Sequence, residues 1–133
     1  MATRILLGML GVVYILLAIW CAVMPNQTSN AVGFTLQPGA GQSEFITVYG
    51  GFELALGLIF LWPLCRPAAL EGALQICLVM HACLVLFRTS SFLLFDGIPS
   101  TTRYFATGEW VIFLLALFAV VQASRSKRGR HAT

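Results

Sequence analysis

Hydrophobic and polar positions divide the chain into four long apolar stretches joined by shorter polar ones. Residues 5–23 carry no charged side chain, and at 1.5 Å per residue a helix of that length covers about 28 Å, close to the hydrocarbon thickness of a bilayer. Comparable stretches at about 45–64, 68–87 and 105–123 predict three more spanning helices. The breaks carry the residues that stop helices. Met24-Pro25-Asn26 ends the first, Trp62-Pro63 ends the second, and Arg66-Pro67 makes a tight connection to the third. Residues 24–44, rich in Gly, Pro, Ser and Gln and without Lys or Arg, read as one external loop. Residues 88–104 read as another, around the turn signal Asp96-Gly97-Ile98-Pro99-Ser100. The pattern predicts an all-α, integral membrane four-helix bundle, a single transmembrane domain over 1–133 with no internal repeat.

Composition strengthens the membrane expectation. Of the 133 residues, 59% are hydrophobic and 10% charged, whereas soluble domains carry about 25% charged residues. So short a chain has too little interior to hide that apolar surface from water. The lipid bilayer is the expected partner. A cleaved signal peptide at the N-terminus is the rival explanation of the first stretch, but no small-residue cleavage site follows it.

The distribution of charge sets an orientation. With four spans, Arg4, Arg66, Arg125, Lys127, Arg128 and Arg130 fall on one side, and Arg88 and Arg103 on the other. The excess of positive charge belongs in the cytoplasm, which makes the chain a multi-pass protein with both termini inside. The basic residues of the tail, 124–133, follow directly on an apolar run, where they fix topology and meet anionic headgroups. They have no aromatic or base-reading neighbours, so nucleic acid is not an expected partner.

Candidate chemistry is sparse. Cys21, Cys65, Cys77 and Cys83 form no C-x-x-C pair and read as packing residues. Asn26-Gln27-Thr28 matches a glycosylation acceptor but lies hard against the membrane. The ionisable residues within or beside the spans are Glu53, Glu71, His81, Arg88 and Glu109, and such residues are costly enough in lipid to be functional candidates. Glu53 lies about eight residues into the second helix and Glu109 about four into the fourth, while Arg88 closes the third. The three are expected to cluster in the outer half of the bundle, lining an externally open pocket. Such a cluster either locks helices together or holds a ligand or proton. Glu71, in the first turn of the third helix, suits the positive end of the helix dipole. His81 shares a stripe with Cys77, Leu84 and Arg88. With no second His or nearby Asp it reads as a hydrogen-bonded core residue, or as lining the lower pocket, rather than as a metal ligand. No metal or cofactor is expected. Gly50, Gly51 and Gly57 offer a small-residue surface for close helix packing in lipid.

Tyr49-Gly50-Gly51-Phe52-Glu53-Leu54-Ala55-Leu56-Gly57, then Arg88, then Asp96-Gly97-Ile98-Pro99, then Glu109 resemble a bacterial family of four-helix membrane proteins of unknown function, distantly similar in layout to the DoxX-like group. The resemblance covers most of the chain. It departs at Phe45-Ile46-Thr47-Val48, where the pattern has a basic residue. It implies a bacterial inner-membrane location, adds Tyr49 and Asp96 to the candidate polar residues, and supplies no reaction. The expected function is an accessory or scaffold protein, in a homo-oligomer or a larger membrane complex, or a binder of a lipophilic small molecule. The alternatives are a membrane enzyme acting on a lipid-soluble substrate such as a quinone, and a small proton-coupled exporter using Glu53. Enzymatic activity is the less favoured of these.

Overall fold

The structure, a computed structural model, describes residues 1–130 and the side chains of residues 1–126. The described chain is all-helical, and four of its helices are long and apolar enough to cross a membrane: Ala2–Val23, Ala40–Cys65, Pro67–Leu94 and Ser100–Ser126. Two compact units contain them, one formed by Met1–Leu70 and the other beginning at Glu71.

In the first unit, α1 (Ala2–Val23) buries the stripe Leu7, Leu10, Gly11, Tyr14, Ala18 and Cys21, spaced to fall on one helical face. The residues expected to form an external loop contain two short helices instead. Met24 leaves α1 with φ −130° and ψ 58°, and Pro25 then opens α2 (Pro25–Ala31). Proline at a first helical position is preorganised and loses no hydrogen bond, so here it starts a helix as well as following the end of one. Thr28, 6% exposed, donates its hydroxyl to the Met24 carbonyl at 2.8 Å and the Trp20 carbonyl at 3.2 Å. That hydroxyl is turned inward, which argues against the glycosylation reading. Gly39, at φ 77°, precedes α3 (Ala40–Phe45), and the Gln42 side chain accepts from its backbone N–H at 3.2 Å. Gln42 also donates to Asn26 Oδ1 at 3.2 Å, tying α3 to α2.

The helix that begins as α3 runs through a π-helical segment, Ile46–Gly51, into α4 (Phe52–Cys65). The sequence offers a local cause. Ile46-Thr47-Val48 is a β-branched run that crowds an α-helical turn, and Thr47 donates its hydroxyl to the Ser43 carbonyl at 2.9 Å, a contact that bends helices. Gly50 and Gly51 then tolerate the wider turn. Pro63 was expected to end this helix, yet it is fully buried within it. The stop comes at Arg66, extended at φ −128° and ψ 94°, the conformation favoured before proline, with Pro67 opening the single 3₁₀ turn Pro67–Ala69.

Helices α1 and α4 pack antiparallel: Gly8 faces Leu64, Gly11 faces Leu61, and Ile15 faces Gly57. The Tyr14 and Phe60 rings meet edge to face at 5.4 Å. At the crossing the backbones nearly touch. A Cβ at Gly57 would lie 2.6 Å from Ile15 Cγ1 and 3.0 Å from the Gly11 carbonyl oxygen, and one at Gly11 would lie 2.9 Å from the Gly57 carbonyl oxygen.

In the second unit, α5 (Leu70–Leu94) and α6 (Ser100–Arg130) both exceed their expected lengths. The predicted loop 88–104 shrinks to residues 95–99. Ser90 and Ser91 donate to the Leu86 and Arg88 carbonyls at 2.9 and 2.8 Å, so their polar groups are satisfied within the helix and polarity at 89–91 does not end it. Gly97, at φ 73°, turns the chain. Gly97→Ala should cost about 1 kcal/mol, because a Cβ disfavours that conformation; thermal unfolding of the purified variant in detergent reads the loss. At the other end, α6 continues through Ser124 to Arg130, so most of the basic tail is helical backbone, and residues 131–133 lie outside the described residues.

Candidate functional site

The longer helices move the candidate residues deeper than their expected places. Arg88 is not at a helix end but six residues before Leu94, and Glu109 is nine residues after Ser100, about 9 and 14 Å along their helices. Across the α5–α6 turn the two meet. Arg88 Nη2 donates to Glu109 Oε1 at 2.7 Å, and Arg88 Nε donates to Glu109 Oε2 at 3.0 Å. This is a two-point ion pair between side chains 32% and 15% exposed. The planar guanidinium matches both carboxylate oxygens, so each charge enters the low-dielectric region already neutralised.

Glu53 lies in the first unit, two residues beyond the π segment and near the middle of Ala40–Cys65. It is half-buried, and its Oε2 is buried without a hydrogen-bond partner. Leaving such an atom unsatisfied costs about 1–3 kcal/mol. π-helical turns inside α-helices are frequent at functional sites, and this one sets the direction of the only acidic residue in α4. Chemically, the arrangement offers an acceptor oxygen or a proton site at membrane depth.

Tyr49 belongs to the π segment itself. Its ring stacks on Phe45 with centroids 4.6 Å apart and meets Phe34 edge-on at 5.9 Å. Of the predicted packing glycines, Gly57 makes the close approach to α1. Gly50 is buried, with ordinary space toward the Ala18 carbonyl and Cys21, and Gly51 is exposed with nothing near it. Gly11, the partner of Gly57, was not singled out and carries no such signal in the sequence: Gly8 and Gly11 are three residues apart, not the four of the small-residue packing motif. The π segment was missed too; its signal is a β-branched run ending in a glycine pair.

His81 is fully buried, with Nδ1 2.8 Å from the Cys77 carbonyl oxygen. Nδ1–H is the donor in that contact, which leaves Nε2 as the acceptor nitrogen. Cys77 Sγ lies 3.7 Å from the same nitrogen. Asp96 is exposed in the α5–α6 turn, and Glu71 is exposed in the first turn of α5. All four cysteines are free thiols, Cys21 and Cys77 buried, Cys65 and Cys83 exposed. Among the described residues no three His, Cys, Asp or Glu side chains are placed to hold a metal ion. A groove on the first unit is lined by Arg4 and apolar residues of α1 and α4, and none of the predicted site residues lines it.

No curated protein and no solved structure matches the chain. Residues 2–120 match DUF4345, a domain of unknown function. That match covers the first three long helices and about two-thirds of α6, and the chain therefore belongs to the DUF4345 family.

Proposed function

We propose that this is a multi-pass protein of the cell membrane, in bacteria the inner membrane, with both termini in the cytoplasm, which binds a lipophilic small molecule through Glu53. The observation that carries this reading is the buried, unpartnered Oε2 of Glu53 beside the π segment. A ligand with a hydroxyl or N–H donor, such as a reduced quinone or a sterol-like alcohol, would satisfy it. The distant likeness in layout to the DoxX-like group belongs to the same reading. Arg88 and Glu109 already satisfy each other, and in this account they act as a lock between α5 and α6.

Glu53→Leu tests the proposal because binding and stability should move in opposite directions. Removing an unsatisfied buried polar group for an apolar one is neutral or stabilising, so the variant should melt at or above the wild-type temperature. Mass spectrometry of solvent extracts from protein purified in mild detergent should find a lipophilic compound on the wild type, reduced about tenfold on the variant. A variant that melts lower and keeps the compound contradicts the proposal.

A second reading is an accessory subunit of a larger membrane complex. Gly51, Gly72 and Gly108 favour it, since each lies exposed in a helix with open space where a Cβ would stand, the surface a partner helix uses. Intact protein co-purifying in fixed stoichiometry with another membrane chain, and with no small molecule, supports that reading instead.

A further inference from the structure

The groove on the first unit has a volume of about 570 Å³, within the range of small-molecule sites. Met9 and Val13 of α1 and Leu61 and Leu64 of α4 form its apolar walls, Gly8 lies among them without a side chain, and Arg4 stands at its end. From Arg4 to Val13 the groove follows nine helical steps, about 14 Å. That is half the hydrocarbon thickness of a bilayer, the depth of one leaflet. An open apolar groove about one leaflet long with a cation at its end has the length and polarity to seat one acyl chain beneath a charged headgroup.

The charge at that end strengthens the match. The facing of Gly8 and Leu64 brings Arg66 within about a turn of Arg4 along the axis. Arg66 is held over the Trp62 ring at 5.9 Å, an interfacial aromatic–cation pair. The first acidic residue of the chain is Glu44, so nothing on α1 neutralises Arg4, and no ion pair holds its guanidinium among the described residues. We propose that this groove is a binding site for an anionic phospholipid, one acyl chain lying between α1 and α4 and the phosphate held by Arg4. The site is distinct from Glu53, and nothing in the argument depends on a ligand there.

Native mass spectrometry of the full chain, released from a neutral detergent after equilibration with equal amounts of phosphatidylglycerol and phosphatidylcholine of identical acyl chains, tests it. The wild type should retain the anionic lipid about fivefold over the zwitterionic one, the preference expected of one basic side chain at the phosphate. Arg4→Gln should cut that preference by at least half, and Arg4→Gln with Arg66→Gln should bring the two lipids to equal retention. Val13→Trp, placed on the open side where the residue is 48% exposed, should lower retention of both. Met9→Trp, at a residue 66% exposed, gives the same measurement if the first variant does not fold. A wild-type lipid ratio in Arg4→Gln, or undiminished retention in a folded tryptophan variant, overturns the proposal.

Discussion

Arg88→Leu is expected to lower the stability of the purified protein in detergent by about 3 kcal/mol, the cost of leaving a mostly buried carboxylate without its partner. The two hydrogen bonds between Arg88 and Glu109 measure 2.7 and 3.0 Å, and the carboxylate side chain is only 15% exposed. Glu109→Gln should cost less, because the amide oxygen can still accept one of the two bonds. The reversed pair, Arg88→Glu with Glu109→Arg, should recover more than half of the loss suffered by either single reversal, since the charges meet again in exchanged places. Equilibrium unfolding of the wild type, the two single reversals and the double reversal measures the coupling. If Arg88→Leu unfolds like the wild type, the pair contributes nothing, and its assignment as a lock between α5 and α6 fails.

A comparable loss is expected at Gly57. The Cβ of Gly57→Ala would stand 2.6 Å from Ile15 Cγ1, a side-chain atom that can move, but also 3.0 Å from the Gly11 carbonyl oxygen and 3.1 Å from the Ile15 nitrogen, backbone atoms that move only if α1 and α4 separate. Overpacking of this kind costs about 1–3 kcal/mol for a methyl group, and Gly57→Leu should prevent the native α1–α4 crossing altogether. Gly11→Ala meets the same backbone from the other side, so its effect and that of Gly57→Ala should combine non-additively. Gly72→Ala and Gly108→Ala, at positions with nothing within 4 Å, should stay within about 1 kcal/mol of the wild type. Equal effects at all four glycines would mean that helix propensity, not close packing, governs them.

The long spans were legible in the sequence because length and continuous apolarity are sufficient to announce a membrane helix. The end of α1 at Val23 and the break at Arg66-Pro67 were legible too, but the facing ends of α5 and α6 were not. Pro25 follows the end of α1 as expected but also opens the next helix, Pro63 lies buried inside α4 instead of ending it, and within the stretch 88–104 that reads as a loop, Ser90 and Ser91 return their hydroxyls to carbonyls of their own helix. A proline or a serine states only a local preference, and whether it starts, interrupts or continues a helix depends on what the rest of the turn supplies. Misplaced ends placed Arg88 and Glu109 too near the surface. The attraction between them was still legible, since Arg and carboxylate in adjacent apolar stretches have few alternatives to each other. Glu53 was legible as an expensive residue, but the π segment that precedes it was not, because hydrophobic periodicity averages over a single wide turn. Gly11 escaped for a different reason: the close crossing exists only in the pairing of two helices, and its signal is divided between distant parts of the chain.

The central claim is that Glu53 is an acid open to a lipophilic molecule at membrane depth, whereas Glu109 is consumed by its ion pair. Labelling with a lipophilic carbodiimide, which attacks carboxyl groups from within the apolar phase, followed by mass spectrometry of the modified peptides, tests this most directly. The account predicts that detergent-washed protein is labelled at Glu53 and spared at Glu109, and that solvent extract from the wild-type preparation protects Glu53. Labelling of Glu109 equal to that of Glu53, or a Glu53 that remains unmodified in the washed protein, would contradict it.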